Sequence, residues 1–411
     1  RTADAVMPHC HRHVLAKVHQ AGPEEVAGAV AAARAAWREW SAASLADRAA
    51  VFLKAADLLA TRWRPVVNAA TMLGQSKTAY QAEIDAACEL IDFWRFNVHF
   101  AERIHAEQPI SSSGTWNALD YRALEGFVYA ITPFNFTSIG GNLPTAPAIM
   151  GCTVVWKPAA TAAYSNYFLL KLLEEAGLPP GVVNFVPGPA SQISERVIAD
   201  RHLGGIHFTG STEVFQSLWK QVATNLTGYA DYPRLVGETG GKDFILAHPS
   251  ADVDALATAI VRGAYEYQGQ KCSAASRAYV SDSIWPKVKE RVLGMLSGLK
   301  VGDGLKGETH QGPLIDMKAV EKVEDHVRDA LAKGARLVAG GKRHKLGGSF
   351  FEPTILADVT QDMKVAREET FGPVAPLFRF KSDGEVIKMA NDTEFGLAAY
   401  FYSRDIGRVW K

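Results

Sequence analysis

At about 150 residues per domain, 411 residues make two to three domains, and 47% apolar with 21% charged residues is an ordinary globular composition with enough apolar material for a sizeable core. Lys plus Arg (44) balances Asp plus Glu (44), which argues against a nucleic-acid or anionic-membrane partner held by bulk charge, and 35 Gly with 19 Pro excludes collagen-like and low-complexity classes. Cys10, Cys88, Cys152 and Cys272 form no CxxC pair and are too sparse for a disulfide framework, so a reducing compartment is expected. Arg1-Thr-Ala-Asp carries neither an initiator Met nor a basic-then-apolar signal pattern, and the chain is expected to begin past its true start.

In chain order, Val26, Val30, Ala33, Trp37 and Trp40 fall at helical spacing over residues 22–40, with Pro23 suited to a first turn. Helices are expected again over 46–60 and 81–100, so the first hundred residues are mainly α-helical. Residues 108–126 are turn-punctuated, a β-hairpin or a connecting excursion. Residues 126–156 carry no charge, but Pro133, Pro144 and Pro147, with Asn135, Asn142 and Gly140-Gly141, break any membrane-spanning helix. From 127 onward apolar strands (127–132, 153–156, 182–186, 205–208) alternate with helices (after 132, then 161–176, 190–199, 212–223). This rhythm predicts right-handed βαβ units and a parallel sheet covered on both faces, with ligands beyond the strands' carboxyl ends. A second α/β region starts near Gly237, with strands over 243–247, 276–280, 336–339 and 375–380 and helices over 253–267 and 284–299. Residues 405–411 read as a helix just beginning, and the chain is expected to continue beyond Lys411.

Four groups of residues carry chemistry. His9, Cys10, His11 and His13 are potential metal ligands, but no complementary Cys/His pair follows at zinc spacing and alternating histidines also suit an exposed strand, so no metal is expected. Phe208-Thr-Gly-Ser-Thr-Glu is a strand running into a turn that opens a helix, where free N–H groups would face a phosphate; the plain helix cap is the alternative, and no GxGxxG fingerprint is present. Cys272 stands among small and polar residues, unlike Cys152 in its apolar run, and is the better nucleophile, although no histidine is marked as its base. Gly237-Glu238-Thr-Gly-Gly-Lys places a carboxylate beside a glycine pair, a base near a ligand or a solvated Glu on a turn.

Together, Pro133-Phe-Asn-Phe-Thr, Trp156-Lys-Pro, Phe208-Thr-Gly-Ser, Gly237-Glu-Thr-Gly-Gly-Lys, Gly269-Gln-Lys-Cys and Glu368-Glu-Thr-Phe-Gly-Pro resemble, in this order, the aldehyde dehydrogenase superfamily over essentially the whole chain. Phe134-Asn-Phe-Thr-Ser-Ile-Gly-Gly-Asn-Leu, the pair Cys272-Ser273, the run from Ala82 to Asn97, and Phe215 where most of the superfamily has a second Gly resemble its Δ1-pyrroline-5-carboxylate dehydrogenase branch. The resemblance implies an α/β fold of two Rossmann-like parallel domains plus a small β-hairpin oligomerisation element. Residues 1–107 with 127–236 would form the NAD-binding domain, 108–126 the hairpin and 237–411 the catalytic domain. It further implies Cys272 as nucleophile, Asn135 as oxyanion donor and Glu238 as general base. NAD would meet Thr132, Phe134, Lys157, Gly210, Ser211, Glu369 and Phe371, and the substrate Glu89, Phe136, Lys271 and Ser273. Ala160 stands where many NAD-preferring relatives carry Glu, yet the branch mainly uses NAD. The loop that holds the substrate's carboxylate in this branch is expected past Lys411.

The implied activity is NAD-dependent oxidation of L-glutamate γ-semialdehyde to L-glutamate in proline catabolism, through a thiohemiacetal and a thioester on cysteine. Alternatives are a dehydrogenase for another semialdehyde such as succinate semialdehyde, an enzyme passing the acyl group to coenzyme A, and a non-catalytic protein of this fold. A small aldehyde is the expected partner, with homo-oligomer formation and a functional link to proline dehydrogenase. The expected location is the bacterial cytoplasm, or the mitochondrial matrix in a eukaryote.

Overall fold

Alternating apolar strands and helices are realised as two sheets, one in each of two units. The computed structural model describes residues 1–411; the first unit comprises 1–7, 12–75 and 79–239, the second 8–11, 76–78 and 240–411. The chain opens with β1 (Thr2–Met7) and β2 (Cys10–His19), paired as a two-stranded sheet. Helices Pro23–Ala42, Leu45–Ala60, Arg64–Gln75 and Glu89–Ala106 come next.

The first unit's sheet takes β3 (Phe127–Ile131), β4 (Thr153–Lys157), β5 (Val183–Phe185), β6 (Leu203–Thr209) and β7 (Arg234–Glu238) in the order β5-β4-β3-β6-β7, all parallel. Successive side chains of a strand leave opposite faces, so β3 feeds two cores. Val128 and Ala130 join Phe52, Leu90 and Trp94, whereas Phe127, Tyr129 and Ile131 join Val30, Ile193 and Leu218.

The second unit repeats the device with β8 (Phe244–Ala247), β9 (Arg277–Ser281), β10 (Arg336–Ala339), β11 (Thr354–Ala357), β12 (Val374–Phe380) and β13 (Ala399–Tyr402), ordered β10-β11-β12-β9-β8-β13. Only the edge strand β10 runs antiparallel. Ala278 and Val280 pack on one face with Leu256 and Val288, and Tyr279 on the other with Val323 and Phe378.

The expected hairpin over 108–126 is not a strand pair. The segment folds back through side chains: the Gln108 amide brackets Leu119, accepting from its N–H (2.8 Å) and donating to its carbonyl (3.3 Å), while Ser111 Oγ accepts from Asn117 N–H (3.0 Å). With Ile110 and Trp116 almost wholly exposed, no apolar face supports a ladder, and an isolated two-stranded hairpin is marginal. No helix is long and apolar enough to cross a membrane.

Candidate active site

The first unit's candidate residues gather at the carboxyl ends of its parallel strands. After β3 the chain runs through Thr132, Phe134, Asn135 and Phe136 into helix Thr137–Ile149. Thr132 is locked there: its hydroxyl accepts the Trp156 indole N–H (3.0 Å), its N–H donates to the Lys157 carbonyl (3.1 Å) and its carbonyl accepts from Ala159 (3.1 Å). Asn135 and Phe136 are buried on this turn. Lys157, at the end of β4, is buried too, and burial lowers its ammonium pKa with no carboxylate beside it. A buried ammonium without an acid beside it has donors that a ligand's oxygens could accept from, as the expected contact with a ribose requires.

On the neighbouring strands, Thr209 pairs with Glu238 and Gly210 N–H donates to the Glu238 carbonyl (3.1 Å). Ser211 caps helix Thr212–Thr224, its hydroxyl accepting Val214 N–H (3.3 Å), so that helix presents its positive end at the strand ends. Phe215 stacks on Phe208 (5.4 Å, 21°) and meets Trp219 edge-on (5.7 Å). A Cβ on Gly237 would lie 2.4 Å from the Phe215 ring, so a glycine there is what admits the phenyl group. The Glu238 side chain is exposed.

Glu89 arrives by an irregularity. Residues Glu83–Cys88 form a π-helical turn in which Glu89 N–H reaches back five residues to Ile84. Arg64 Nε (2.8 Å) and Asn68 Nδ2 (2.6 Å) both donate to the Glu83 carboxylate and hold the turn. Such turns insert one residue per cycle, rotate the helix beyond them and are frequent at functional sites. Glu89 is thereby brought to helix Thr137–Ile149, where its carboxylate accepts the Ser138 hydroxyl three residues after Asn135.

In the second unit Gly241 passes so close to the Cys272 segment that a Cβ would lie 2.5 Å from the Cys272 carbonyl oxygen. Gly241 N–H also donates to Glu369 Oε1 (3.2 Å), which draws Cys272 and Glu369 to one glycine pair. Phe371, two residues on, is left-handed at φ +53°. The Ser273 carbonyl accepts the Tyr400 hydroxyl (2.7 Å). Lys271 pairs with Glu266 (3.2 Å), which also takes Arg262 (3.1 Å), an acid the sequence had not singled out. Of the histidine cluster, His9 bonds Ser76 through Nδ1 (2.7 Å) and lies 3.4 Å from Asp303, whereas His11 and His13 are exposed on β2.

Sequence reasoning missed the polar layer beneath the glycine pair. Lys242 is 2% exposed and donates to Thr370 Oγ1 (3.3 Å); His326 Nδ1 shares that hydroxyl (3.2 Å), and its Nε2 lies 3.5 Å from Glu368. Arg277 donates to the Lys242 carbonyl through Nε (3.0 Å) and Nη2 (2.6 Å). Burial, then the Arg277 charge, lowers Lys242 to about 7; burial, then Lys242, lowers His326 to about 4; burial raises Asp243 to about 6. The available signal was local: Lys242-Asp243 is a charged pair at the mouth of a buried strand.

Parallel α/β units with a helix N-terminus aimed at the strand ends form a class built for nucleotide cofactors. The model of the aldehyde dehydrogenase family matches residues 1–411. The Delta-1-pyrroline-5-carboxylate dehydrogenase of Agaricus bisporus is 45% identical over 404 residues, 97% of this chain and 74% of that protein. The Delta-pyrroline-5-carboxylate dehydrogenase of Mycobacterium tuberculosis, solved bound with NAD, is 47% identical with a TM-score of 0.93, over 100% of this chain and 76% of that one. A succinate-semialdehyde dehydrogenase of Burkholderia pseudomallei is 37% identical with a TM-score of 0.90, over 100% and 83%. The chain belongs to the aldehyde dehydrogenase family.

Proposed function

We propose that this chain oxidises L-glutamate γ-semialdehyde, the open form of Δ1-pyrroline-5-carboxylate, to L-glutamate with NAD. The observation that carries the reading is the likeness to enzymes of that name, 47% identity to the Mycobacterium tuberculosis enzyme over the whole chain and 45% to the Agaricus bisporus enzyme over 97% of it. The first unit is the cofactor-binding domain and the second, with the nucleophile, the catalytic one.

Hydride acceptance is the chemistry that NAD supplies when bound. Lys157 holds a ribose, the Gly210-Ser211 turn the pyrophosphate, Glu369 the nicotinamide ribose, and Thr132, Phe134 and Phe371 line the site. Cys272 acts as the thiolate and adds to the aldehyde carbon, closing a C–S bond. The oxyanion that forms takes hydrogen bonds from the Asn135 amide and the Cys272 N–H, a contribution of about 3–4 kcal/mol per donor in comparable sites. Loss of hydride leaves a thioester on Cys272. Glu238 removes a proton from water, which attacks the thioester carbon, breaks the C–S bond and returns the thiolate with release of the acid. Glu89 is an anionic partner for the substrate ammonium, with Phe136, Lys271 and Ser273 around the reacting carbon; the buried seat of Asn135 and the short approach of Gly241 to the Cys272 carbonyl support these roles.

The enzyme works as a homo-oligomer, downstream of the proline dehydrogenase reaction that supplies its substrate. It resides in the bacterial cytoplasm or, in a eukaryote, in the mitochondrial matrix; the name of the human relative calls that protein mitochondrial. The test is NADH formation with glutamate semialdehyde, succinate semialdehyde and an aliphatic aldehyde at matched concentration. A strong preference for the first is expected; equal or reversed rates retire the substrate while leaving the family chemistry intact.

A further inference from the structure

Between the helix that ends at Tyr265 and the nucleophile, the backbone turns left-handed three times in succession: Tyr267 (φ 47°, ψ 42°), Gln268 (φ 56°, ψ 29°) and Gly269 (φ 66°). Tyr267 and Gln268 are L side chains in a region such residues avoid, and each is at most 1% exposed. Strain of this kind persists where the surroundings over-determine it, and it concentrates at functional sites. The turn's own closing hydrogen bond runs from Gln270 N–H to the Tyr267 carbonyl (2.9 Å).

The surroundings are specific. The Gln268 amide uses both ends on consecutive backbone groups, accepting from Gly312 N–H (3.0 Å) and donating to the Pro313 carbonyl (2.7 Å). Gln270 Oε1 accepts from Ile315 N–H (2.9 Å). The base is itself seated, because Leu314 N–H donates to Ser349 (2.9 Å) and Gln311 Nε2 to Phe351 (2.8 Å). On the other side, a Cβ on Gly269 would lie 2.3 Å from the Gly372 carbonyl oxygen, so a glycine lets the turn close on the backbone at Gly372. The Lys77 ammonium lies 4.3 Å from the Tyr267 ring centroid.

We propose that Gln268 is a positioning residue: its two-ended amide staple to Gly312 and Pro313 holds the left-handed turn 267–269 and thereby aims Cys272 Sγ at the aldehyde carbon. This rests on Cys272 being the nucleophile. Removing the amide leaves a buried N–H and a buried carbonyl without partners, and a turn that its own hydrogen bond does not hold in a disfavoured conformation relaxes. Cys272, four residues on, then loses its fixed approach while the cofactor residues of the first unit are untouched.

The experiment measures, on the full chain, the pH profile of Cys272 alkylation by iodoacetamide, located by peptide mass spectrometry, together with kcat and the dissociation constant for NAD. Gln268→Ala is expected to lower the alkylation rate and kcat at least tenfold and to move the midpoint of the alkylation profile, with NAD affinity within twofold. Gln268→Glu keeps the acceptor but donates to Pro313 only when protonated, so it should match Gln268→Ala at pH 8 and recover reactivity towards wild type as the carboxyl is protonated. It also serves where the alanine variant does not fold. Alkylation and kcat within twofold of wild type at every pH, even with a lowered Tm, overturn the proposal and leave the staple a stabilising contact. Cys272→Ala separates the two claims: turnover in that variant removes the nucleophile and this inference with it, whereas an inactive Cys272→Ala beside an unaffected Gln268→Ala sinks the positioning role alone.

Discussion

Replacing Asp243 by Asn should stabilise the protein above pH 6 and leave it nearly unchanged at pH 4. The residue is 2% exposed; Oδ1 accepts Ala398 N–H (2.9 Å) and Oδ2 has no partner. Burial raises the carboxyl from 3.8 to about 6, against the opposing pull of the Ala398 N–H and the Arg277 charge. Between about pH 4 and 6 the folded protein therefore keeps a proton that the unfolded chain has lost, so stability falls as pH rises through that window and stays lowered above it. A shift of about 2 units corresponds to about 3 kcal/mol at 1.36 kcal/mol per unit. Asn retains the acceptor for Ala398 and carries no charge to desolvate. Urea unfolding at pH 4, 6 and 8, monitored by tryptophan fluorescence, should show a gain that grows with pH to at most about 3 kcal/mol. A variant no more stable than the parent at pH 8 would refute the reasoning, as would an equal gain at pH 4, which would make the gain one of packing rather than of charge.

Lys242 runs in the opposite sense. Its ammonium falls from 10.5 to about 7, so the unfolded chain holds the extra proton between those values and stability rises with pH across them. Lys242→Met should accordingly be stabilising at pH 6 by the same unfolding assay, with the difference fading towards pH 10. Cys272→Ala is expected to abolish turnover while NAD still binds in a fluorescence titration; turnover above background removes Cys272 from its role. Glu238→Gln should give a burst of NADH stoichiometric with enzyme and then slow turnover in rapid mixing, and a normal steady state would sink the base assignment. Glu89→Gln should raise KM for glutamate semialdehyde at least tenfold while sparing an aliphatic aldehyde; equal effects on both would dismiss an ammonium partner.

The βαβ rhythm was legible because buried parallel strands such as Phe127–Ile131 and Thr153–Lys157 are continuous apolar runs. The edge strand Arg234–Glu238 was not, since nearly every residue in it is exposed and its pattern offers no apolar face. Helix Met317–Ala332 is masked by its charges, although Val320, Val323, Val327 and Ala330 mark one buried stripe and Asp316 caps it. The helix expected over 253–267 ends two residues earlier: Glu266 and Tyr267 suit a helix locally, and tertiary hydrogen bonds override them from Gln268 onward. Glu89 was marked by resemblance, but the π turn that orients it depends on Arg64 and Asn68, more than a dozen residues away in sequence.

The residues of the second unit that the sequence pattern passes over share a physical character. Lys242 and Asp243 desolvate charge at a strand mouth, and Tyr267 and Gln268 occupy left-handed backbone, so each violates a local rule that most of the chain obeys. All four lie within residues 242–268, between the glycine pair and Cys272, whereas the first unit's candidate residues stand on regular strand ends and helix caps. Local rules broken without a compensating gain in stability are expected where function is the gain. Asp243→Asn separates the two explanations in one protein. If the charge is a structural accident, the more stable variant turns over at least as fast as the parent. If the charge serves the Cys272 segment, stability rises while kcat falls, and protonating wild-type Asp243 by lowering the pH through 6 lowers kcat in parallel.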